Sequence, residues 1–238
     1  MPRLDILVAR SGLAESRERA QALIIAGKVR VAGETVRRPD RSVSDDAAIS
    51  VEEGPAYASR GALKLAPALS TFGVDPAGQV CADIGASTGG FTDVLLRRGA
   101  AKVYAIDVGR GLLHWRLRQD PRVVVIERVN AREMDSFPET VSLIVIDVSF
   151  IGLEKVLPSM RKAAPEAEVV ALFKPQFQVR RSDVGKGGVV RDLGAIEAAL
   201  DAFRAWCVGN GYAVRGVARS ELRGTDGNQE IFLDLVPS

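Results

Sequence analysis

The chain is poor in the residue types that most often reveal chemistry. Among 238 residues there are two cysteines, Cys81 and Cys207, one histidine, His114, and 5% aromatics. The cysteines fall in a predicted strand and a predicted helix. They read as buried apolar residues and not as a disulfide or part of a metal site, since no Cys/His cluster accompanies them. His114 has no second metal-ligating partner and reads as a packed or surface residue, so no metal is expected. No apolar run reaches the ~18 residues that a spanning helix needs. The longest, Ser142 to Leu153, is interrupted by Asp147 and Ser149. The N-terminus carries Asp5 inside its apolar stretch and has no signal-peptide core, so a cytoplasmic protein without a membrane partner is expected. A net charge of +2 means that any affinity for nucleic acid comes from local clustering of charge and not from the whole-protein field.

The length suits one large domain and one small one. Residues 1–54 read as a small α+β unit, 55–62 as a linker and 63–238 as the large domain. In the small unit Leu4, Leu7 and Val8 form a helical face ending at Gly12. A second helix runs from an N-cap at Ser16, with Ala20, Leu23 and Ile24 on one side, to Gly27. Short strands follow around Val29, Val31, Val36, Val43, Ile49 and Val51, with a turn at Gly33. Basic residues concentrate on the helices and the first strands: Arg3, Arg10, Arg17, Arg19, Lys28 and Arg30. Such a run is ordinarily a solvated face. Residues 3–33, however, from Arg3-Leu4-Asp5 through Gly12-Leu13-Ala14, Ser16-Arg17, Leu23-Ile24 and Gly27 to Gly33, resemble an S4 RNA-binding domain. Ala32 departs from that pattern, which usually has Asn there. The resemblance implies phosphate contacts and recognition of RNA shape.

The large domain alternates strands near 79–84, 102–107, 122–127, 142–147, 168–173, 212–217 and 230–236 with helices near 90–98, 111–118, 153–163 and 192–208. A further helix precedes the first strand, with Leu63, Ala66 and Leu69 as its apolar stripe. This alternation predicts a doubly wound, largely parallel, Rossmann-like α/β sheet, and the last two strands, with no helix between them, form a final antiparallel pair.

Residues 82–90, Ala-Asp-Ile-Gly-Ala-Ser-Thr-Gly-Gly, join the first of these strands to a helix opening at Phe91-Thr92. A glycine-rich turn at a helix N-terminus lets a ligand approach the backbone, and this one is preceded by a carboxylate, Asp83. A dinucleotide pyrophosphate would be repelled by that acid, whereas S-adenosylmethionine carries an ammonium, a sulfonium and a ribose and no phosphate. Ser87 also stands where G-x-G-x-x-G requires its second glycine. The alternative is a turn that only joins strand to helix. Candidate cofactor residues are Asp83, Gly85, Ser87, Thr88, Gly89, Gly90, Phe91 and Thr92. Asp107, ending the second strand, is placed to bind ribose hydroxyls. Asn130 follows the third strand and is either an adenine contact or a turn former.

Chemistry in an open α/β sheet takes place beyond the carboxyl ends of its parallel strands. Asp147 ends the fourth strand and Lys174 the fifth. Glu230 begins the reversed last strand and so shares that edge, and Lys64 opens the helix that feeds the first strand. Each has a bland reading as a surface or turn residue; the topology brings all four together. The set Lys64, Asp147, Lys174 and Glu230 resembles the tetrad of FtsJ-like RNA ribose 2′-O-methyltransferases. With Ser59-Arg60-Gly61-Ala62-x-Lys64-Leu65, Asp147-Val148-Ser149-Phe150-Ile151, Phe173-Lys174-Pro175-Gln176-Phe177 and Gly185-Lys186-Gly187-Gly188-Val189-Val190-Arg191-Asp192, the chain resembles the TlyA family, rRNA cytidine 2′-O-methyltransferases historically labelled hemolysins. The resemblance implies S-adenosylmethionine as cofactor, the tetrad as catalytic residues, and ribosomal RNA or ribosomal subunits as partner. The expected assembly is a monomer or weak dimer. Arg60 and the loop residues Arg180, Arg181 and Lys186 are further candidate RNA contacts, the loop being either a flexible surface segment or a lid. Competing readings are an NAD-dependent enzyme, a degenerate fold that only holds RNA, and a membrane-lytic protein. The last has no spanning segment or strongly basic amphipathic helix to support it.

Overall fold

The computed structural model describes residues 1–14, 16–52 and 57–238, so the boundary expected at Gly54 and the first residues of the linker lie outside the described residues. The chain divides into two compact units, Met1–Ala56 and Tyr57–Ser238.

In the first unit, α1 (Leu4–Arg10) and α2 (Arg17–Ile25) cover a small antiparallel sheet of β1 (Val29–Val31), β2 (Glu34–Val36) and β3 (Ile49–Val51), ordered β2-β1-β3. Ser16 caps α2 by accepting from the Arg19 amide at 3.1 Å, as expected. The β1–β2 turn holds Ala32 at φ 50° and Gly33 at φ 84°. That left-handed pair explains why a residue such as Asn is better tolerated than Ala at position 32. The core consists of Leu4, Leu7, Val8, Ala20, Ile24, Val29, Val31, Val36 and Val43. Beside it lies a buried carboxylate, Asp5, that accepts from Arg3 (3.1 Å), Arg17 (3.1 Å) and Gln21 (2.7 Å). Burial pushes its carboxyl up. The contacts from Arg3, Gln21 and Arg17 outweigh that and hold it well below the usual carboxylate range.

In the second unit, seven strands among the described residues form one sheet: β4 (Val80–Ile84), β5 (Lys102–Asp107), β6 (Val123–Glu127), β7 (Leu143–Ile146), β8 (Glu168–Phe173), β9 (Tyr212–Arg219) and β10 (Ile231–Pro237), ordered β6-β5-β4-β7-β8-β10-β9. The pairs among β4–β8 are parallel, while β10 runs antiparallel to both β8 and β9. Alternate strand residues feed two apolar layers. Ala82, Ile84, Ile144 and Ile146 pack under α6 (Leu157–Ala163) and α7 (Leu193–Gly209). Cys81, Val103, Leu143 and Val145 pack under α3 (Ala62–Phe72) and α4 (Gly90–Arg97). Asp192 caps α7 by accepting from the Gly194 and Ala195 amides at 2.8 and 3.2 Å.

Three helical expectations need correction. The buried face of α3 is Ala62, Leu65, Ala68 and Leu69, with Leu63 49% exposed. Packing of the preceding Gly61 against Phe91 directs Ala62 inward and leaves Leu63 and Lys64 toward the sheet edge. The helix expected over 111–118 is one turn, α5 (Trp115–Arg118), because Gly109 and Gly111 hold the preceding segment in a turn. The helix expected over 153–163 is a 3-10 turn, Leu153–Lys155, followed by α6. Pro158, near the start of α6, has no amide to continue an earlier helix.

Replacing Asp5 with Ala is expected to destabilise the first unit by about 2 kcal/mol, discounted because both arginines are half exposed. Hydrogen exchange should show protection lost across α1 and α2 and unchanged in β4–β10. Because the native carboxyl lies below its unfolded value, this stability is present at neutral pH and is lost only as strong acid protonates Asp5.

Candidate active site

The strand register decides which side chains meet. Ile84 pairs with Ile146 and Ile231 with Phe173, so Gly85, Asp147, Lys174 and Glu230 all emerge just beyond the paired residues at one edge. The first turn of α3 brings Lys64 to the same place. Lys64 Nζ lies 2.6 Å from Glu230 Oε2, with side-chain exposures of 14% and 3%. Lys174 Nζ lies 2.6 Å from Asp147 Oδ1 and donates to Ser149 Oγ at 2.9 Å. These residues line one open cleft of about 640 Å³ together with Arg60, the turn residues Gly85, Ser87, Thr88, Gly90 and Phe91, and the aromatics Phe150 and Phe177. Two lysines, each neutralised by its own carboxylate, can hold a hydroxyl oxygen and stabilise the charge that develops on it.

The turn itself is shaped by packing inside the protein. A Cβ on Gly85 would collide with the Asp147 carbonyl, one on Gly89 with Leu113 and Leu117, and one on Gly90 with Ser59 and the Ala62 amide. Gly85 and Gly89 also have φ of 84° and 93°. Several turn amides are already used: Ser87 N donates to Asp107 Oδ2 (2.8 Å), Gly89 N to the Ala86 carbonyl (2.7 Å) and Thr92 N to Asp83 Oδ2 (2.8 Å). Asp83 is fully buried, takes a second bond from Thr92 Oγ1 (2.6 Å), and leaves Oδ1 without a partner. Its carboxyl is raised to about 7, chiefly by burial, with the Thr92 hydroxyl opposing and the neighbouring Asp147 and Asp107 adding to the rise. Acidic side chains thus lie around a turn whose amides are partly spent, with Asp107 bonded to the Ser87 amide and Asp147 paired with Lys174. Spent amides offer little to a pyrophosphate, and the remaining carboxylate acceptor capacity suits a ligand that brings a ribose.

A family model for FtsJ-like methyltransferases matches residues 57–235, and one for S4 domains matches residues 2–49. The chain belongs to the FtsJ-like methyltransferase family. Over 240 residues it is 49% identical to the 16S/23S rRNA (cytidine-2′-O)-methyltransferase TlyA of Mycobacterium tuberculosis, covering 98% of this chain and 89% of that one. It is 42% identical to Hemolysin A of Brachyspira hyodysenteriae, covering 98% and 99%. A solved structure from Streptococcus thermophilus, provisionally named a hemolysin, superposes with a TM-score of 0.76 at 40% identity, covering 99% of this chain and 88% of that one. The family's cofactor is S-adenosylmethionine, in keeping with the carboxylate-ringed turn.

The other anticipated residues of this methyltransferase are distributed as follows. Asp83, Gly89, Thr92, Asp107 and Asn130 do not line the cleft. Asp83 and Thr92 join the end of β4 to the start of α4. Asp107 accepts from the Ser87 and Gly109 amides at 2.8 and 2.7 Å, and a carboxylate retains capacity for ribose hydroxyls beyond those two bonds. Asn130 is engaged locally, accepting from the Arg132 amide (3.2 Å) and donating to Glu133 (2.9 Å). In the first unit Arg3 and Arg17 are bound by Asp5, Arg10 pairs with Asp45 and Arg30 with Glu52. Arg19 and Lys28 have no carboxylate partner among the described residues. Arg180, Arg181 and Lys186 are exposed away from the cleft lining. Their loop is tied down by buried Asn228, which accepts from Val190 N (2.9 Å) and donates to the Gly188 carbonyl (2.8 Å).

Several cleft residues were not among the candidate site residues: Ser149, Phe150, Gln176 and Phe177, which lay within the motifs of the family resemblance, and Arg223 and Asp226. Their signal was adjacency. Two follow Asp147, two follow Lys174, and Arg223 and Asp226 lie in the Gly/Thr/Asp-rich segment 223–229 that immediately precedes Glu230. Gly224 is needed there because a Cβ would approach Glu230 Oε1 to 2.7 Å.

A raised carboxyl in the folded state reverses the usual acid behaviour. Asp83 is expected to cost nothing below about pH 4, where both states are protonated, and to destabilise the fold progressively as pH rises toward 7. Asp83→Asn should therefore gain on wild type by a few kcal/mol, on the order of 2–4, between pH 4 and 8. Paired denaturant titrations across that range check it; a wild-type-minus-variant difference that does not change with pH would refute the assignment.

Proposed function

We propose that this chain transfers the methyl group of S-adenosylmethionine to the 2′-hydroxyl of a cytidine in ribosomal RNA, with 23S RNA as substrate and 16S RNA as a second. The observation that carries this reading is the pairing of Lys64 with Glu230 and of Lys174 with Asp147 in one cleft beside the glycine turn. The relatives named as cytidine-2′-O-methyltransferases support the choice of nucleotide.

S-adenosylmethionine supplies a methyl already activated by its sulfonium, so the protein's task is to hold the hydroxyl oxygen in line with it and to manage the hydroxyl proton. Gly85, Ser87, Thr88, Gly90 and Phe91 form the cofactor side of the cleft, and Asp107 receives the ribose. Lys64, held by Glu230, secures the substrate ribose. Lys174 serves the reacting oxygen. As an ammonium it stabilises the developing alkoxide; as a neutral amine it takes the proton.

An RNA substrate also explains Phe150. Its side chain is 92% exposed, its φ is 66°, and its ring stands 5.4 Å from that of Phe177 at the cleft mouth. An exposed phenylalanine held in the left-handed region costs on the order of 1 kcal/mol, and a face on which an unstacked cytosine can rest offsets that cost. Arg60 lies in the same cleft for phosphate contact, and the basic face of the S4 domain adds sequence-independent affinity. The proposed assembly is a monomer or weak dimer. The site of action is the cytoplasm, where ribosomal subunits are found.

The test is transfer of radiolabelled methyl to purified ribosomal subunits. Wild type should label rRNA, and Lys174→Ala should reduce transfer by at least about 100-fold with cofactor affinity unchanged within twofold. Transfer above a tenth of wild type would remove Lys174 from its role. Phe150→Ala should raise KM for the subunit about tenfold, with cofactor affinity intact; an unchanged KM would refute the stacking reading.

A further inference from the structure

Lys174 has two oxygen neighbours that differ in kind. Asp147 Oδ1 approaches Nζ to 2.6 Å without hydrogen-bond alignment, and that oxygen has no hydrogen-bond partner. Ser149 Oγ, at 2.9 Å, is the aligned acceptor. Charge therefore comes from Asp147, but the direction of an Nζ–H bond is set by Ser149. We infer that Ser149 is a positioning residue for methyl transfer, aiming Lys174 at the ribose hydroxyl. This rests on the functional reading above and extends it to a residue outside the tetrad.

The local backbone is built for that task. Asp147 emerges from β7 with its amide bonded to the Ile84 carbonyl at 2.9 Å, which anchors the segment to the centre of the sheet. Three residues on, Phe150 takes its left-handed φ of 66°. Asp147, Ser149 and Phe150 thus all line the cleft within four residues. The Ser149 hydroxyl caps no helix, and among the described residues its one hydrogen bond is to Lys174. Serine at an exposed loop position contributes little to stability, so its hydroxyl has no structural duty to compete with this one.

The geometry of nitrogen gives the contact its consequence. A lysine Nζ has three positions besides its carbon. Ser149 takes one by an aligned hydrogen bond, Asp147 lies against the ammonium as a charge contact, and the positions not bonded to Ser149 remain for a ligand in the cleft. Lys174 is only 10% exposed and has four rotatable side-chain bonds. A charge contact alone, being weakly directional, leaves rotation of the ammonium about Cε–Nζ open, whereas an aligned hydrogen bond restricts it. Lys64 needs no such second anchor, because its contact with Glu230 is itself an aligned hydrogen bond at 2.6 Å. The lysine assigned to the reacting oxygen is the one fixed by an added hydroxyl.

The test compares wild type, Ser149→Ala and Ser149→Thr in steady-state methyl transfer to ribosomal subunits. Ser149→Ala is expected to lower kcat about 10- to 100-fold, the worth of one hydrogen bond to a charged group. KM for the subunit and the cofactor Kd should stay within twofold. Ser149→Thr, which keeps the hydroxyl, should recover kcat to within about threefold of wild type. Unchanged kcat in Ser149→Ala would overturn the inference. So would a loss that appears in KM, or one that threonine does not recover. A second readout does not depend on turnover: in 15N-lysine spectra the Lys174 ammonium protons should exchange with water at least about fivefold faster in Ser149→Ala, and equal exchange would refute the contact. If wild type labels no rRNA, the functional reading fails while the exchange comparison still decides whether Ser149 orients Lys174.

Discussion

Reversal of β10 is the constraint on which the cleft depends. In a wholly parallel sheet the residue before a strand lies at the amino edge, away from the chemistry. Because β10 inserts antiparallel between β8 and β9, the residue before it, Glu230, lies beside Lys174, which follows β8. Glu230 then receives Lys64 from α3, and the ion pair links the helix ahead of the first parallel strand to the start of the last strand, 166 residues further along the chain. Phe232, Leu233 and Leu235 are buried, and each such side chain contributes on the order of 2 kcal/mol through burial. The register is therefore held by core packing, and the site inherits that precision without having to stabilise itself.

The electrostatics of the large domain follow a similar logic. Asp83 lies beneath the glycine turn where solvent cannot reach it, between Asp107 and Asp147. Asp147 is answered by Lys174 and Glu230 by Lys64, whereas Asp83 has only Thr92. The fold thus concentrates acceptor capacity next to the glycine turn and sets its two cleft lysines against Glu230 and Asp147. On the proposed function, that division suits a cationic methyl donor beside a hydroxyl that must lose a proton. In the small domain the pattern is reversed: one buried carboxylate, Asp5, gathers two half-exposed arginines and leaves their outer N–H groups to solvent.

Much of the site could be read from the chain because its residues sit where elements end. Asp147 and Lys174 each terminate an apolar run, Asp192 and Ser16 precede helices with capping geometry, and the glycine turn lies between a strand and a helix. Strand-end acids and caps obey local rules. The residues that were missed or misplaced obey none. The apolar stripe of α3 was displaced because contact with Phe91 sets its rotation, and 111–118 was overextended because Gly111, at φ 71°, holds the segment before Trp115 in a turn. Phe150 and Phe177 figure in the sequence only as members of two motifs, and the fold shows one of them almost wholly exposed.

The sequence by itself determined the alternation of strands and helices, the two-unit organisation, the family and the identity of the four edge residues. These follow from periodicity, capping and motif spacing, which are encoded locally. The tertiary structure alone decided how they are used: which lysine pairs with which carboxylate, that Asp83 is a buried brace and not a cleft residue, that the turn glycines answer to Leu117, Ser59 and the Asp147 carbonyl, and that Ser149 takes the directional bond from Lys174. Those outcomes depend on register and side-chain approach between segments far apart in the chain, where a displacement of one residue would exchange one face of the sheet for the other.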